Sequence, residues 1–240
     1  MPLHYLRRLS GKNRTPSANR HLARYLAFVA GAANAGGFLA VRQYTSHMTG
    51  IISAMADDVA LGSIVLALGS LAAVTSFLGG ALSTTVLIRW ARRNFPNSQY
   101  ALPLALESVL LLAFGITGKT FAGGRLLGTV MLLCFTMGLQ NAMITKLSDA
   151  VIRTTHLTGM ITDIGIELGR MLTSFRREDP STMADTAKLR LLTSLVSIFF
   201  LGGVIGALGF KHVGFWFTLP LAGILLLIAS MPIIDEMRAA

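Results

Sequence analysis

The chain has 240 residues and a formal net charge of +10, with 53% hydrophobic and only 13% charged residues, and its mean hydropathy is +0.63. This balance excludes an ordinary soluble domain and predicts an all-helical, polytopic membrane protein. One cysteine, Cys134, and no local cluster of metal-ligating side chains exclude a disulfide scaffold and leave no cofactor or metal site to expect.

In chain order, residues 1–23 are polar and rich in Arg, Ser and Asn, and read as a basic cytoplasmic tail that rests on anionic lipid. Six apolar runs follow, near 24–42, 59–89, 101–117, 126–145, 189–209 and 213–233. Each is long enough to cross about 30 Å of hydrocarbon. The first could pass for a secretory signal, because small residues from Ala30 to Ala35 follow a basic segment and an apolar stretch. Its glycine and asparagine recur deep in the chain, however, so it is read as a retained span. The second run exceeds what a span needs, which implies tilt or the inclusion of part of a preceding short helix.

An internal repeat organises these runs. Gly31-Ala-Ala-Asn34-Ala35 returns as Gly138-Leu-Gln-Asn141-Ala142, and Ser46-His47-Met48-Thr49-Gly50 returns as Thr155-His156-Leu157-Thr158-Gly159. Phe77-Leu-Gly-Gly80 returns as Phe200-Leu-Gly-Gly203, and Leu102-Pro-Leu-Ala105 as Leu219-Pro-Leu-Ala222. The offsets are 107, 109, 123 and 117 residues, in constant order. A duplicated unit is the simplest source of such a pattern. It divides the chain into a three-span repeat at 24–117, an external linker at 118–125, a second three-span repeat at 126–234 and a cytoplasmic C-terminus at 235–240.

Charge sets the expected orientation. With a cytoplasmic N-terminus, 17 of the 21 Lys and Arg residues fall inside, and only Arg42, Lys119, Arg125 and Lys211 fall outside. Cationic loops resist export, so both termini are expected in the cytoplasm. The same asymmetry accounts for the net charge without a nucleic-acid partner. Because each copy holds an odd number of spans, the two copies face opposite ways, and inverted repeats of this kind recur in secondary transporters. A stable bundle left by an old duplication is the plainer alternative.

The paired His-x-Thr-Gly elements are the candidate substrate site. Thr49 and Thr158 are read as N-caps of short half-helices, with Gly50 and Gly159 allowing close approach. If both helices turn back into the membrane, their N-termini present N–H groups to a polar or anionic solute at a shared centre. Caps on surface helices would need no solute. His47 and His156, with Asn34, Gln140 and Asn141, complete the candidate solute contacts, although interhelical hydrogen bonding alone would explain the amides.

Candidate proton-coupling residues are Asp58, Glu107, Asp163 and Glu167. Asp58 and Glu167 each stand eleven residues beyond a motif histidine, while Asp163, Glu167 and Arg170 make one polar stripe on a helix. Glu107, isolated in an apolar run, costs about 2–4 kcal/mol to insert and is expected to face the bundle interior. A hydrogen bond to Ser108 is an alternative purpose for it. The glycines of the Phe-Leu-Gly-Gly elements predict close helix crossings, and Pro103 and Pro220 predict helix starts.

Enzyme signatures fail. Gly118-Lys119-Thr120 lacks the preceding glycine of a phosphate loop, and Ser46 beside His47 has no third orienting group.

Ser46-His-Met-Thr-Gly50 and Gly138-Leu-Gln-Asn-Ala142, in this order and over roughly residues 20–235, resemble the YoaK-like bacterial inner-membrane proteins, the domain of unknown function numbered 1275. The chain departs from that pattern at Asn34, where members commonly carry aspartate, and at Ile51, where they carry asparagine. The resemblance implies six spans in a bacterial inner membrane and names no substrate. The expectation is a small secondary transporter or channel for a polar or anionic solute, in contact with membrane lipid and compatible with a homo-oligomer. A non-transporting module for assembly, signalling or envelope stress response is the rival reading.

Overall fold

The computed structural model describes Leu9 and residues 15–95, 97–121, 126–148, 154–173 and 184–239, and among these every regular element is helical. Eight α-helices follow in order: α1 Pro16–Val41, α2 Met48–Ala60, α3 Ile64–Asn94, α4 Ala101–Phe121, α5 Leu126–Leu147, α6 Leu157–Thr173, α7 Thr186–Val213 and α8 Thr218–Ala239. A 3-10 turn, Gly214–Phe217, joins the last two.

Helix starts and stops follow local chemistry. Thr15 caps α1 by accepting the Ala18 N–H at 3.2 Å, and Pro16 sits where its missing N–H is harmless. The helix therefore begins inside the stretch read as a tail, and Leu9 is buried with Leu22 and Leu26. Gly62 takes the positive φ that separates α2 from α3, so the long second apolar run does contain the end of a short helix. Pro103 and Pro220 lie in the first turns of α4 and α8. Glu236 closes the start of α4 by accepting the Asn97 N–H at 2.8 Å, where a carboxylate meets the positive end of the helix dipole.

Four stretches are long and apolar enough to cross a membrane: Pro16–Val41, Ile64–Asn94, Leu126–Leu147 and the 53 residues Thr186–Arg238, with Ala101–Thr117 as a shorter apolar helix. The last stretch is broken by the 3-10 turn. Helix α3 alone measures about 46 Å at 1.5 Å per residue, more than the hydrocarbon thickness. Its outward face carries Val65, Leu68, Leu78 and Leu82 in the open, as suits contact with lipid. The protein is a multi-pass membrane protein.

Burial separates inner from outer helices. The spans of α1 and α5 are each 61% buried, against 17% for α3 and 22% for the α7–α8 stretch. The two inner helices thus form the centre, with α7 packed along α1, α3 along α5, and α4 against α8.

Glycine makes the inner crossings close. A methyl group on Gly31 would strike the Phe199 carbonyl oxygen, and one on Gly202 would strike that of Phe28. At the other crossing a methyl on Gly138 would strike the Phe77 carbonyl oxygen, and one on Gly80 that of Phe135. The expected close crossings are therefore present, but their register differs by one residue from the sequence match. Gly80 plays the part that Gly202, rather than Gly203, plays in the second half.

Candidate functional site

Two corners carry the candidate site. In the first, α1 ends at Arg42, the chain passes through Tyr44, which stacks on Phe38 at 4.7 Å, and α2 begins at Met48. The second corner leads into α6 at Leu157. In both, the histidine and not the threonine stands before the helix. The carbonyl of His47 accepts the Ile51 N–H at 3.1 Å, and that of His156 accepts the Met160 N–H at 3.1 Å. Thr49 and Thr158 are second in their helices, so the N-cap role expected for them is corrected. Their hydroxyls are left to face something else.

The glycines of the motif acquire a reason. Each imidazole folds over the first turn of its own helix, and a Cβ on Gly50 would lie 2.7 Å from His47 Nε2. A Cβ on Gly159 would lie 2.7 Å from His156 Cε1. Only glycine leaves the rings this seat.

The two corners meet. A cleft of about 570 Å³ is lined by His47, Thr49, His156 and Thr158, with Asn141 from α5. Ser46, Thr145 and Thr155 add further polar groups, while Phe77, Ala81 and Gly138 close the wall at the α3–α5 crossing. No carboxylate, lysine or arginine belongs to this lining. It offers hydroxyls, an amide and two imidazoles around an apolar frame, a pattern suited to a small polar ligand, neutral or anionic.

Two further clefts adjoin it. The larger, about 700 Å³, contains Arg42, Gln43, Tyr44, Asp58 and Ser70, and shares His47 with the central cleft. The other, about 470 Å³, lies along the α1–α7 crossing and is lined by Asn34, Phe38, Phe199 and Phe200. Asn34 is held there at 3.2 Å by the hydroxyl of Ser46.

The remaining candidates fall elsewhere. Gln140 is fully buried, donates to the Leu26 carbonyl at 3.2 Å and lines none of these clefts. Glu107 is also fully buried, and the side chain of Gln140 is the polar group beside its carboxylate. Ser108 does not serve it. That hydroxyl instead donates to the Ala222 carbonyl at 2.9 Å, tying α4 to α8.

Asp163 and Glu167 lie in a charged cluster between α6 and α7. Lys188 Nζ stands 3.3 Å from Asp163 and 3.7 Å from Glu167, Arg170 pairs with Glu167 at 3.0 Å, and the Asp185 N–H donates to Glu167 at 2.9 Å. The polar stripe on α6 is thus turned toward the start of α7. Asp58, Glu107, Asp163 and Glu167 do not form one constellation. Among the described residues no group of three or more His, Cys, Asp or Glu side chains could hold a metal ion.

Sequence reasoning weighs Ser46 only as a nucleophile and passes over Thr155, although each directly precedes a motif histidine, and over Thr145, which carries no signal of its own.

Comparison with known proteins agrees with a membrane-spanning chain. The UPF0700 transmembrane protein YoaK of Bacillus subtilis (strain 168) is 26% identical over 230 residues, covering 92% of this chain and 99% of that protein. No solved structure matches the chain. The family model described as "Protein of unknown function (DUF1275)" matches residues 22–231, and the chain belongs to that family.

Proposed function

We propose that the protein is a small secondary transporter or channel, without enzymatic activity, for a polar, neutral or anionic solute in a bacterial inner membrane. The observation that carries the reading is the cleft shared by the two His-x-Thr-Gly corners. Residues 109 positions apart in sequence contribute equivalent groups to one hollow. A duplication that only stabilised a bundle would have no need to bring them together around open space.

The reading takes α1, α3, α4, α5, α7 and α8 as six spans, arranged as two inverted three-span halves with both termini cytoplasmic. Packing supports the pairing of the halves. Helix α1 lies on α7 as α5 lies on α3, and the glycine collisions match at offsets of 107 residues for the inner helices and 122 for the outer ones. Rocking one pair against the other would open the central cleft to alternate sides.

The test is uptake of a broad panel of small anions and neutral metabolites into proteoliposomes. Gradient-driven flux is expected, weakened at least tenfold in Thr49→Val and Thr158→Val, roughly what loss of one or two hydrogen bonds to a solute brings. Neither threonine caps its helix, so stability should hardly change. Absence of flux across the panel, together with a co-purifying partner, would favour the non-transporting module.

A further inference from the structure

The cleft of about 700 Å³ beside the central one contains two opposite charges that do not meet. Arg42 is the single non-glycine residue with a positive φ among the described residues, at φ 55°, ψ 25°. Glycine or asparagine usually ends a helix in this conformation, and a long side chain there is strained. The other two positive-φ positions, 62 and 214, are glycines. An arginine at 42 is therefore kept against the preference of the backbone.

Asp58 reaches the same cleft from α2. No ion pair joins it to Arg42, and neither side chain has another ionic partner among the described residues. Opposite charges in one hollow at a membrane protein's surface attract, yet these are held on separate elements. A ligand bearing both complementary charges would complete the arrangement.

We infer that this cleft is a recognition site for a small amphoteric molecule, with Arg42 seating its carboxylate and Asp58 its ammonium group. The guanidinium fork matches a carboxylate through two parallel hydrogen bonds, and a carboxylate is the natural acceptor for an ammonium group. Tyr44 and Ser70 add neutral polar contacts, and Ile51, Leu127 and Val130 provide an apolar wall for a side chain. The volume admits a ligand of amino-acid size with room left for water. A dicarboxylate would set one charge against Asp58, and a diamine would set one against Arg42, so like-charge repulsion rejects both. Because His47 borders both clefts, the site stands at the mouth of the central one. Only this last role rests on the transport reading; the binding does not.

Calorimetric titration of the full chain in lipid nanodiscs tests the assignment. The probes are glycine, L-serine, L-lysine and L-leucine, with isopentylamine and 4-methylpentanoate as forms of leucine that keep one charge each. At least one amino acid should bind, and the leucine pair should bind roughly tenfold or more below leucine itself. Arg42→Gln should reduce leucine to the level of the amine, Asp58→Asn to the level of the acid, and Arg42→Lys should fall between.

Equal binding of the one-charge forms, unaltered binding in both variants, or no binding by any amino acid overturns the site. If Arg42→Gln does not yield folded protein, Asp58→Asn and the wild-type comparison decide. Flux separates the two readings. Amino-acid binding without flux keeps the site and removes transport, whereas flux indifferent to Arg42→Gln and Asp58→Asn keeps transport and removes the site's role at the mouth of the central cleft.

Discussion

The two inner crossings share one packing scheme and enclose different hollows. At α1–α7, Gly31 and Gly202 bring backbones together, and the adjoining cleft is faced by Phe38, Phe199 and Phe200. At α3–α5, Gly138 and Gly80 do the same, but the cleft beside them is faced by Asn141, Thr145 and both histidines. Phe38 in α1 and Thr145 in α5 both stand seven residues after the crossing glycine, two turns along the same face. The phenyl ring stacks on Tyr44 and gives its cleft an apolar wall, whereas the smaller hydroxyl gives the other a polar one. Close packing is thus common to both crossings, and the polar hollow belongs to one.

The largest expected effect tests the common part. Alanine at Gly31 or at Gly138 must push apart two backbones, and overpacking of this kind costs about 1–3 kcal/mol. Thermal unfolding in detergent should show comparable losses for the two variants. Gly128, which has open space around it, is the control. Alanine there should hold or raise the melting temperature, since glycine inside a helix is worse than alanine by roughly 0.5–1 kcal/mol. A loss at Gly31 with none at Gly138 would mean that the crossings are not built alike.

An exchange of linings tests the different part. Thr145→Phe should close the central cleft and abolish solute flux or binding with a smaller change in stability, because the ring enters existing space. Phe38→Thr should lower stability by about 1–2 kcal/mol through partial loss of burial and the lost stack on Tyr44, while flux per folded molecule stays near that of the wild type. Parallel flux and melting measurements on the two variants give the contrast. Flux that survives Thr145→Phe would remove the central cleft from the solute path.

Much of this contrast is legible in the amino-acid sequence. The apolar runs locate the long helices because a span must satisfy its own backbone and face lipid, and both demands leave a mark in composition. The repeated histidine, threonine and glycine mark the corners for the same reason that the glycines mark the crossings, since few residue types fit there. Propensity misplaces the N-caps because threonine is the better capping residue, while the ring seated over Gly50 or Gly159 decides where each helix starts. Register at the outer helices slips by one because Gly79-Gly80 and Gly202-Gly203 match as dipeptides, yet one glycine of each pair carries the tightest contact. Thr145 leaves no mark, as its role depends on what stands across the cleft. Gln140 and Asn141 are neighbours in sequence, and only the rotation of α5 sends one into the core and the other into the hollow.

The smallest effect concerns how the α3–α5 crossing differs within its own packing. Thr84, fully buried, donates to the Leu139 carbonyl at 2.8 Å. At the corresponding place on α7, 122 residues later, Gly206 offers no hydroxyl and lies against the Ala32 backbone, so close that a Cβ would come 2.7 Å from its carbonyl oxygen. Beside its glycine contact one crossing carries a buried hydrogen bond and the other has contact alone, the hydrogen bond between α1 and α7 lying away from that contact, where Arg24 donates to the Ser194 hydroxyl at 3.2 Å. Thr84→Val keeps the shape and removes the bond, at about 1 kcal/mol. The expected result is a drop of a few degrees in melting temperature and, because the bond restrains α3 against α5 beside the central cleft, faster amide exchange in that pair than in α1 and α7. Equal exchange in both pairs would show that the hydroxyl of Thr84 contributes nothing to the stiffness of the polar side.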